Sequence, residues 1–278
     1  MASLNLQQQP KTKEYLACFK ARPGHKLVSM DYAALEMKIA AYFSRDPNLL
    51  KLYGPGAKQN DIYLYNGSKM GTLGDPIRAA GYDPDDPTPA GISAAKKAAK
   101  LQRSIAKQFT LSAQYGAGPG KIHMSLLQDG VPVTFKECVA YHRAFWKLYA
   151  QLKDFGERLK RQWDKNGGYI INGRGRPLAV DSNSLKDITN RFIQSTGHDL
   201  LMHLILHLTR EAKDIPWEPF IIDYHDESIV EVPEAHVPEM VAAFERARQK
   251  VIDALGWDVT MDGEVLVANN LAEIKVED

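Results

Sequence analysis

Apolar positions along this 278-residue chain follow two rhythms, one of short runs and one of helical spacing. Lys26-Leu27-Val28-Ser29-Met30 is a short apolar run that predicts a buried strand, and it leads directly into Asp31. From Leu35 to Phe43 the apolar residues recur at helical spacing, so strand, carboxylate and helix follow one another. Phe220-Ile221-Ile222 and Ser228 to Val232 predict two strands around the polar knot Asp223-Tyr224-His225-Asp226-Glu227, a hairpin pattern. Helices are predicted over 94–114, 134–166, 184–212 and 237–255, with Ser93 as an N-cap and Gly116, Gly118 and Gly120 stopping the first. Tyr169-Ile170-Ile171 predicts a strand entering the basic turn 173–177, and the tail 259–275 predicts a strand or two. Gly, Pro and Asp crowd residues 54–92 and predict a long irregular connection. Residues 1–14 are polar and glutamine-rich and read as extended.

Composition narrows the class without naming a function. The 35 basic and 34 acidic residues nearly cancel, so any basic groove for nucleic acid is local. Two cysteines, Cys18 and Cys138, give neither a disulfide framework nor metal-ligand spacing, which fits a reducing cytoplasm. No run of 18 apolar residues and no apolar signal core near Met1 is present, so no membrane span or secretion is expected.

Three constellations offer chemistry, each with a plainer reading. Asp31 at a strand end is a hard oxygen ligand suited to Mg²⁺, although spacing alone favours a simple helix cap. Arg103, Lys107, Leu111 and Tyr115 recur every fourth residue along one helix face. Cations there could grip a triphosphate and the apolar residues could stack on a base, whereas spacing alone reads as a solvated basic edge above a core stripe. His225-Asp226-Glu227 is either an acidic turn that needs a cation or an ordinary exposed turn.

Their order and combination resemble the three motifs of the DNA polymerase I family (family A). Leu27-Val28-Ser29-Met30-Asp31-Tyr32 through Ala41 resembles motif A. Arg103-Ser104-Ile105-Ala106-Lys107 through Tyr115-Gly116 resembles motif B, and His225-Asp226-Glu227 resembles motif C. Asn190 through Asp199 is similar to the family helix that touches the template–primer minor groove, and Asn5-Leu6-Gln7 through Pro10 to the segment before motif A.

The resemblance implies an α+β right-hand fold with an antiparallel palm sheet and helical fingers. The palm is expected over 1–45 and 186–278. The fingers are expected over 46–185, with the nucleotide-binding helix at 94–115 and the irregular insertion at 54–92. It implies template-directed DNA synthesis from dNTPs with two Mg²⁺ ions, held by Asp31, Asp226 and the Tyr32 carbonyl. Arg103 and Lys107 would hold the triphosphate, and Lys107 would protonate the leaving group. Glu36 with Tyr115 would crowd the sugar 2′ position, and Leu111 would lie against sugar and base. His225, Glu227, Asn190, Gln194, Lys186 and Arg174 would meet primer–template DNA.

Several positions depart from the family pattern. Leu111 replaces an aromatic residue, Ala34 a Gln, Lys38 an Arg, and Tyr63 stands near a common triphosphate-contacting His. Thumb and exonuclease regions would precede Asn5, so the expectation is a viral-like catalytic portion. A second polypeptide would supply the thumb and a 3′–5′ exonuclease, in the host cytoplasm if viral. The alternatives are a single-subunit RNA polymerase and a non-catalytic DNA-binding or replisome subunit.

Overall fold

The computed structural model describes residues 12–224 and 227–275. The chain opens with a short helix α1 (Lys13–Leu16), then strand β1 (His25–Tyr32) and helix α2 (Leu35–Ser44). Eight helices follow: α3 (Pro47–Tyr53), α4 (Ile62–Lys69), α5 (Asp75–Ala79), α6 (Pro89–Ala98), α7 (Lys100–Ala113), α8 (Pro119–Gln128), α9 (Phe135–Leu148) and α10 (Ala150–Lys165). A small hairpin of β2 (Tyr169–Ile171) and β3 (Pro177–Ala179) precedes the 27-residue helix α11 (Leu185–Glu211). The chain then makes β4 (Glu218–Tyr224), β5 (Glu227–Pro233), α12 (Val237–Leu255), β6 (Gly263–Ala268) and α13 (Leu271–Lys275). The fold class is α+β, as expected.

The chain divides into two compact units. Unit 1 comprises residues 1–36, 195–257 and 261–278, and unit 2 comprises 37–194 and 258–260. The boundaries between these units fall inside α2 and α11.

Unit 1 is built on a four-stranded antiparallel sheet in the order β4-β5-β1-β6. In strand β1 alternate side chains point to opposite faces. Leu27, on one face, packs with Ile229, Leu16, Leu271 and Ala272, so α1 and α13 cover that face. Helix α12 packs on the sheet and buries Met240, Ala243, Phe244, Ala247 and Val251, spaced at helical intervals. It ends at Gly256, whose φ of 60° is the left-handed C-terminal conformation that glycine adopts without strain.

Unit 2 holds helices together around aromatic rings, Phe155 and Phe192 buried and Phe43 half-buried. Phe43, Phe155 and Phe192 form a three-ring cluster, with Phe43 and Phe192 edge to face at 4.9 Å. Unit 2 also holds a buried polar network. Tyr149 Oη donates to Asn66, Asn66 Nδ2 donates to Thr110 Oγ1 at 2.7 Å, and the Thr110 hydroxyl donates to the Ala106 carbonyl. Burial raises the Tyr149 phenol well above its usual range, so it stays a donor.

Several expected elements differ. Residues 54–92 are not irregular throughout: they carry α4 and α5, and bury Leu64, Ile77 and Tyr82 against Ala95 and Ala99. Residues read as loop signals start helices there. Asp61 caps α4, Pro76 lies in the first turn of α5, and Thr88 with Pro89 opens α6, in place of the expected Ser93. The helix expected over 94–115 breaks at Ala99 (φ −116°, ψ 37°), and the one over 134–166 breaks at Tyr149 (φ −114°, ψ 53°). Gly120 lies inside α8, because Pro119 starts that helix. The tail is one strand and one short helix, because Leu271 and Ala272 turn into the core.

Candidate active site

Asp31 is the penultimate residue of β1 and is exposed. Across the sheet it faces Glu227 of β5 on one side and Glu264 of β6 on the other. A cleft of about 430 Å³ at this end of the sheet is lined by Asp31, Asp262, Glu264 and Glu227, with Lys275. Gly263 makes the close approach of β6 possible: a Cβ there would overlap the Asp31 carbonyl oxygen and meet Met30 Cε at 2.7 Å. The Ala33 N–H reaches the Asp262 carbonyl at 3.2 Å, and Ala34 has φ +50°, so the turn from β1 into α2 is tightly held.

His225 and Asp226 lie outside the described residues. Among the described residues no three His, Cys, Asp or Glu side chains converge to hold a metal ion. The donor chemistry at Asp31 nevertheless fits Mg²⁺, which takes carboxylate and carbonyl oxygens. The Tyr32 side chain points to the other sheet face by strand alternation and is 1% exposed. Its hydroxyl is buried without a hydrogen-bond partner, and burial raises its pKa, against a smaller opposing effect of Arg248. Its expected metal contact would use the backbone, which this burial leaves untouched. Glu36 sits half-buried in the first turn of α2.

Helix α7 in unit 2 presents the expected face. Ile105, Ala106, Phe109, Thr110 and Ala113 are buried on one side, while Arg103 is half-buried and Lys107 and Leu111 are exposed on the other. The cations are not isolated. Arg103 and Lys107 lie over the Tyr63 ring, 5.1 and 5.6 Å from its centroid. Arg103 also donates through Nε and Nη2 to Asp61 Oδ2, at 3.0 and 2.8 Å. Burial pushes the Asp61 carboxyl up. The Arg103 hydrogen bond, the Leu64 N–H and the charges of Arg103 and Lys96 outweigh it, so the net shift is downward.

The end of motif B is closely packed. Gly116 has φ +69°, and a Cβ there would sit 2.7 Å from Lys186 Cβ, so Tyr115-Gly116 meets the stem of Lys186. The Tyr115 hydroxyl is buried without a hydrogen-bond partner. On α11, Asn190 and Gln194 line a cleft of about 460 Å³ with Asp181, Ser182, Asp187 and Arg191. Asn190 Oδ1 is buried with no donor. Arg174 sits in the β2–β3 turn, which Asn172 fixes by accepting the Arg174 and Arg176 N–H groups at 3.0 and 2.9 Å.

Two features escaped the sequence reading. Asp61 was not singled out, although an Asp two residues before Tyr63 carries an N-cap signal. Glu227, expected near the primer end, is 2% exposed, and its carboxylate is held by Ser29 and Lys275. Nothing in the spacing of those residues announces that contact.

The profile of DNA polymerase family A matches residues 89–273 of the chain. Among curated proteins, DNA polymerase I of Helicobacter pylori is 24% identical over 257 residues, covering 90% of this chain and 25% of that protein. The DNA polymerase of Mycobacterium phage D29 is 30% identical over 217 residues, covering 78% of this chain and 30% of that protein. DNA polymerase I of Aquifex aeolicus is 24% identical, covering 90% of this chain and 40% of its own length. The POL domain of Pol1 from M. smegmatis, solved in complex with DNA primer-template and dNTP, superposes with a TM-score of 0.73 at 20% identity. That match covers 98% of this chain and 45% of the solved one. That likeness shows a polymerase-type fold. The chain belongs to DNA polymerase family A. It spans between a quarter and two fifths of the length of these curated relatives.

Proposed function

We propose that this chain carries the nucleotidyl-transfer centre of a DNA-directed DNA polymerase, with unit 1 as palm and unit 2 as fingers. The observation that carries this reading is the pairing of Asp31 with Glu227, the residue directly after Asp226. The strand that bears Asp31 of motif A is thereby the hydrogen-bonded neighbour of the strand that begins at Glu227, the last residue of motif C. The α7 face supports it independently, with Arg103, Lys107 and Leu111 in register above a buried stripe.

Asp31 and Asp226 would hold two Mg²⁺ ions with the Tyr32 carbonyl. When bound, these ions would supply activation of the primer 3′-hydroxyl and neutralisation of the departing pyrophosphate. The 3′-oxygen attacks the α-phosphorus of the dNTP while the bond to pyrophosphate breaks. Arg103 and Lys107 bind and orient the triphosphate, and Lys107 Nζ gives a proton to the leaving oxygen. Asn190 and Gln194, on one face of α11, would read minor-groove acceptors that all base pairs share. Lys186 and Arg174 would contact phosphate, and His225 would lie by the primer end. The relatives' remaining length leaves room for elements that grip duplex, so affinity for DNA by this span alone should be weak and salt-sensitive. A second polypeptide supplying those elements is part of the proposal.

The test is primer extension with dNTPs, rNTPs and Mg²⁺ by the chain alone and with a candidate partner. Asp31→Asn and Asp226→Asn should each lower incorporation by at least ~10²–10³-fold while far-UV circular dichroism is unchanged. Full activity in either variant, or no incorporation under any condition, would sink the reading.

A further inference from the structure

Glu227 opens strand β5 and is 2% exposed. A carboxylate so buried is costly unless it is hydrogen-bonded and charge-paired. Both of its oxygens are occupied: Ser29 Oγ donates to Oε1, and Lys275 Nζ pairs with Oε2. Three elements therefore converge on one side chain, β1 through Ser29, β5 through Glu227 itself, and α13 through Lys275.

Packing already seats α13. Leu271 and Ala272 contact Leu16, Leu27 and Ile229, while Glu273 accepts from Asn269 and Asn270. The ammonium adds something that apolar contact does not. Glu227 faces Asp31 across the strands and follows Asp226 in the chain. Ser29 shares the strand and, by alternation, the face of Asp31. An uncompensated Glu227 carboxylate would turn toward the cleft it lines with Asp31, Asp262 and Glu264. It would bring a further negative charge among them and loosen the start of β5.

We propose that Lys275 is a positioning residue for nucleotidyl transfer: it fixes the buried Glu227 carboxylate, and with it the start of β5 directly after Asp226. In this role Lys275 acts through Glu227 and not on the nucleotide or the reacting atoms. The role rests on the polymerase reading above. Its effect passes through the alignment of the motif C carboxylate, where displacements of the order of 1 Å cost on the order of 100-fold in rate.

The experiment compares the full chain with Lys275→Met and Lys275→Arg in primer extension with Mg²⁺. It adds amide hydrogen exchange at residues 227–229 in the absence of DNA. Lys275→Met should lower kcat about 10- to 100-fold with KM for dNTP nearly unchanged, and Lys275→Arg should recover most of the loss. Exchange at 227–229 should be faster in the Met variant and near the original rate in the Arg variant. Unchanged kcat in Lys275→Met, or a loss that Lys275→Arg does not relieve, would overturn the proposal. Should the unsubstituted chain incorporate nothing, the polymerase reading fails separately. Exchange then decides the contact itself, with unchanged rates in Lys275→Met counting against it.

Discussion

Arg103 is held on one oxygen of Asp61, with Nε at 3.0 Å and Nη2 at 2.8 Å, and Lys96 Nζ lies 3.3 Å from the same atom. The other oxygen caps α4 by accepting the Tyr63 and Leu64 N–H groups at 3.0 and 2.9 Å. One carboxylate therefore fixes both the helix bearing Tyr63 and the cation that lies over its ring. Asp61→Ala removes the cap and leaves Arg103 without this partner. It should cost about 2–4 kcal/mol in thermal or urea unfolding, the cap supplying about 1 of that. Asp61→Asn keeps the capping oxygen and should cost less. In both variants KM for dNTP should rise more than kcat falls, because Arg103 loses its preset position.

Acid should act on the same contact. The Asp61 pKa is lowered in the fold, so its stabilising contribution is present in full above the unfolded carboxylate range and is lost as pH falls through the folded value. The stability difference between the native chain and Asp61→Asn should therefore be constant near neutrality and shrink below about pH 4. Unfolding midpoints measured from pH 7 down to pH 3 check this. A difference that grew on acidification would contradict the assigned sign.

Leu111 is 40% exposed, two turns beyond Arg103 on the same face of α7. An aromatic residue there has room, so Leu111→Phe should change stability by no more than about 0.5 kcal/mol. A ring at this position can stack where leucine only touches, and base–aromatic stacking contributes about 1–3 kcal/mol. KM for dNTP should fall several-fold in steady-state extension, and sensitivity to dideoxynucleotides should rise.

Gly263 admits no side chain, since a Cβ would overlap the Asp31 carbonyl and press on Met30. Both obstacles belong to β1 and one is backbone, which cannot swing aside. Gly263→Ala should destabilise unit 1 by about 1–3 kcal/mol. Because the displaced strand carries Asp31, incorporation at a temperature where the variant stays folded should fall by more than the folded fraction does. Parallel melting curves and extension rates separate the two effects.

The regular elements were readable where one periodicity ran unbroken. Helices α2 and α12, strand β1 and the β4–β5 hairpin follow directly from apolar spacing. The breaks at Ala99 and Tyr149 were hidden, because alanine and tyrosine sit comfortably in helices and the apolar stripe continues past each. Their causes are remote: Ala99 packs against Leu64, Ile77 and Tyr82, and the Tyr149 hydroxyl reaches Asn66. The α7 face was legible for the same reason as the helix itself. The carboxylate that holds Arg103 was not, since Asp61 lies 42 residues before it, and for the same reason the Lys275 partner of Glu227, 48 residues further on in the sheet unit, was hidden. Glycine and proline in 54–92 misled because both also begin helices, a role that only neighbouring caps disclose.

The sheet of unit 1 also sets an order of events during synthesis. Leu27 pairs with Glu231 and with Ala268, so β1 leaves the ribosome long before either neighbour exists. Residues 37–194, by contrast, form nearly all of unit 2 in one stretch and can collapse as they emerge. Contacts of such wide sequence separation form slowly, and until they form an apolar strand stands with both edges open. The strand that bears Asp31 is thus made before both strands that flank it and is among the last to be paired. Overproduction of this chain should therefore depend on chaperones that shield β1 until β5 and β6 have emerged.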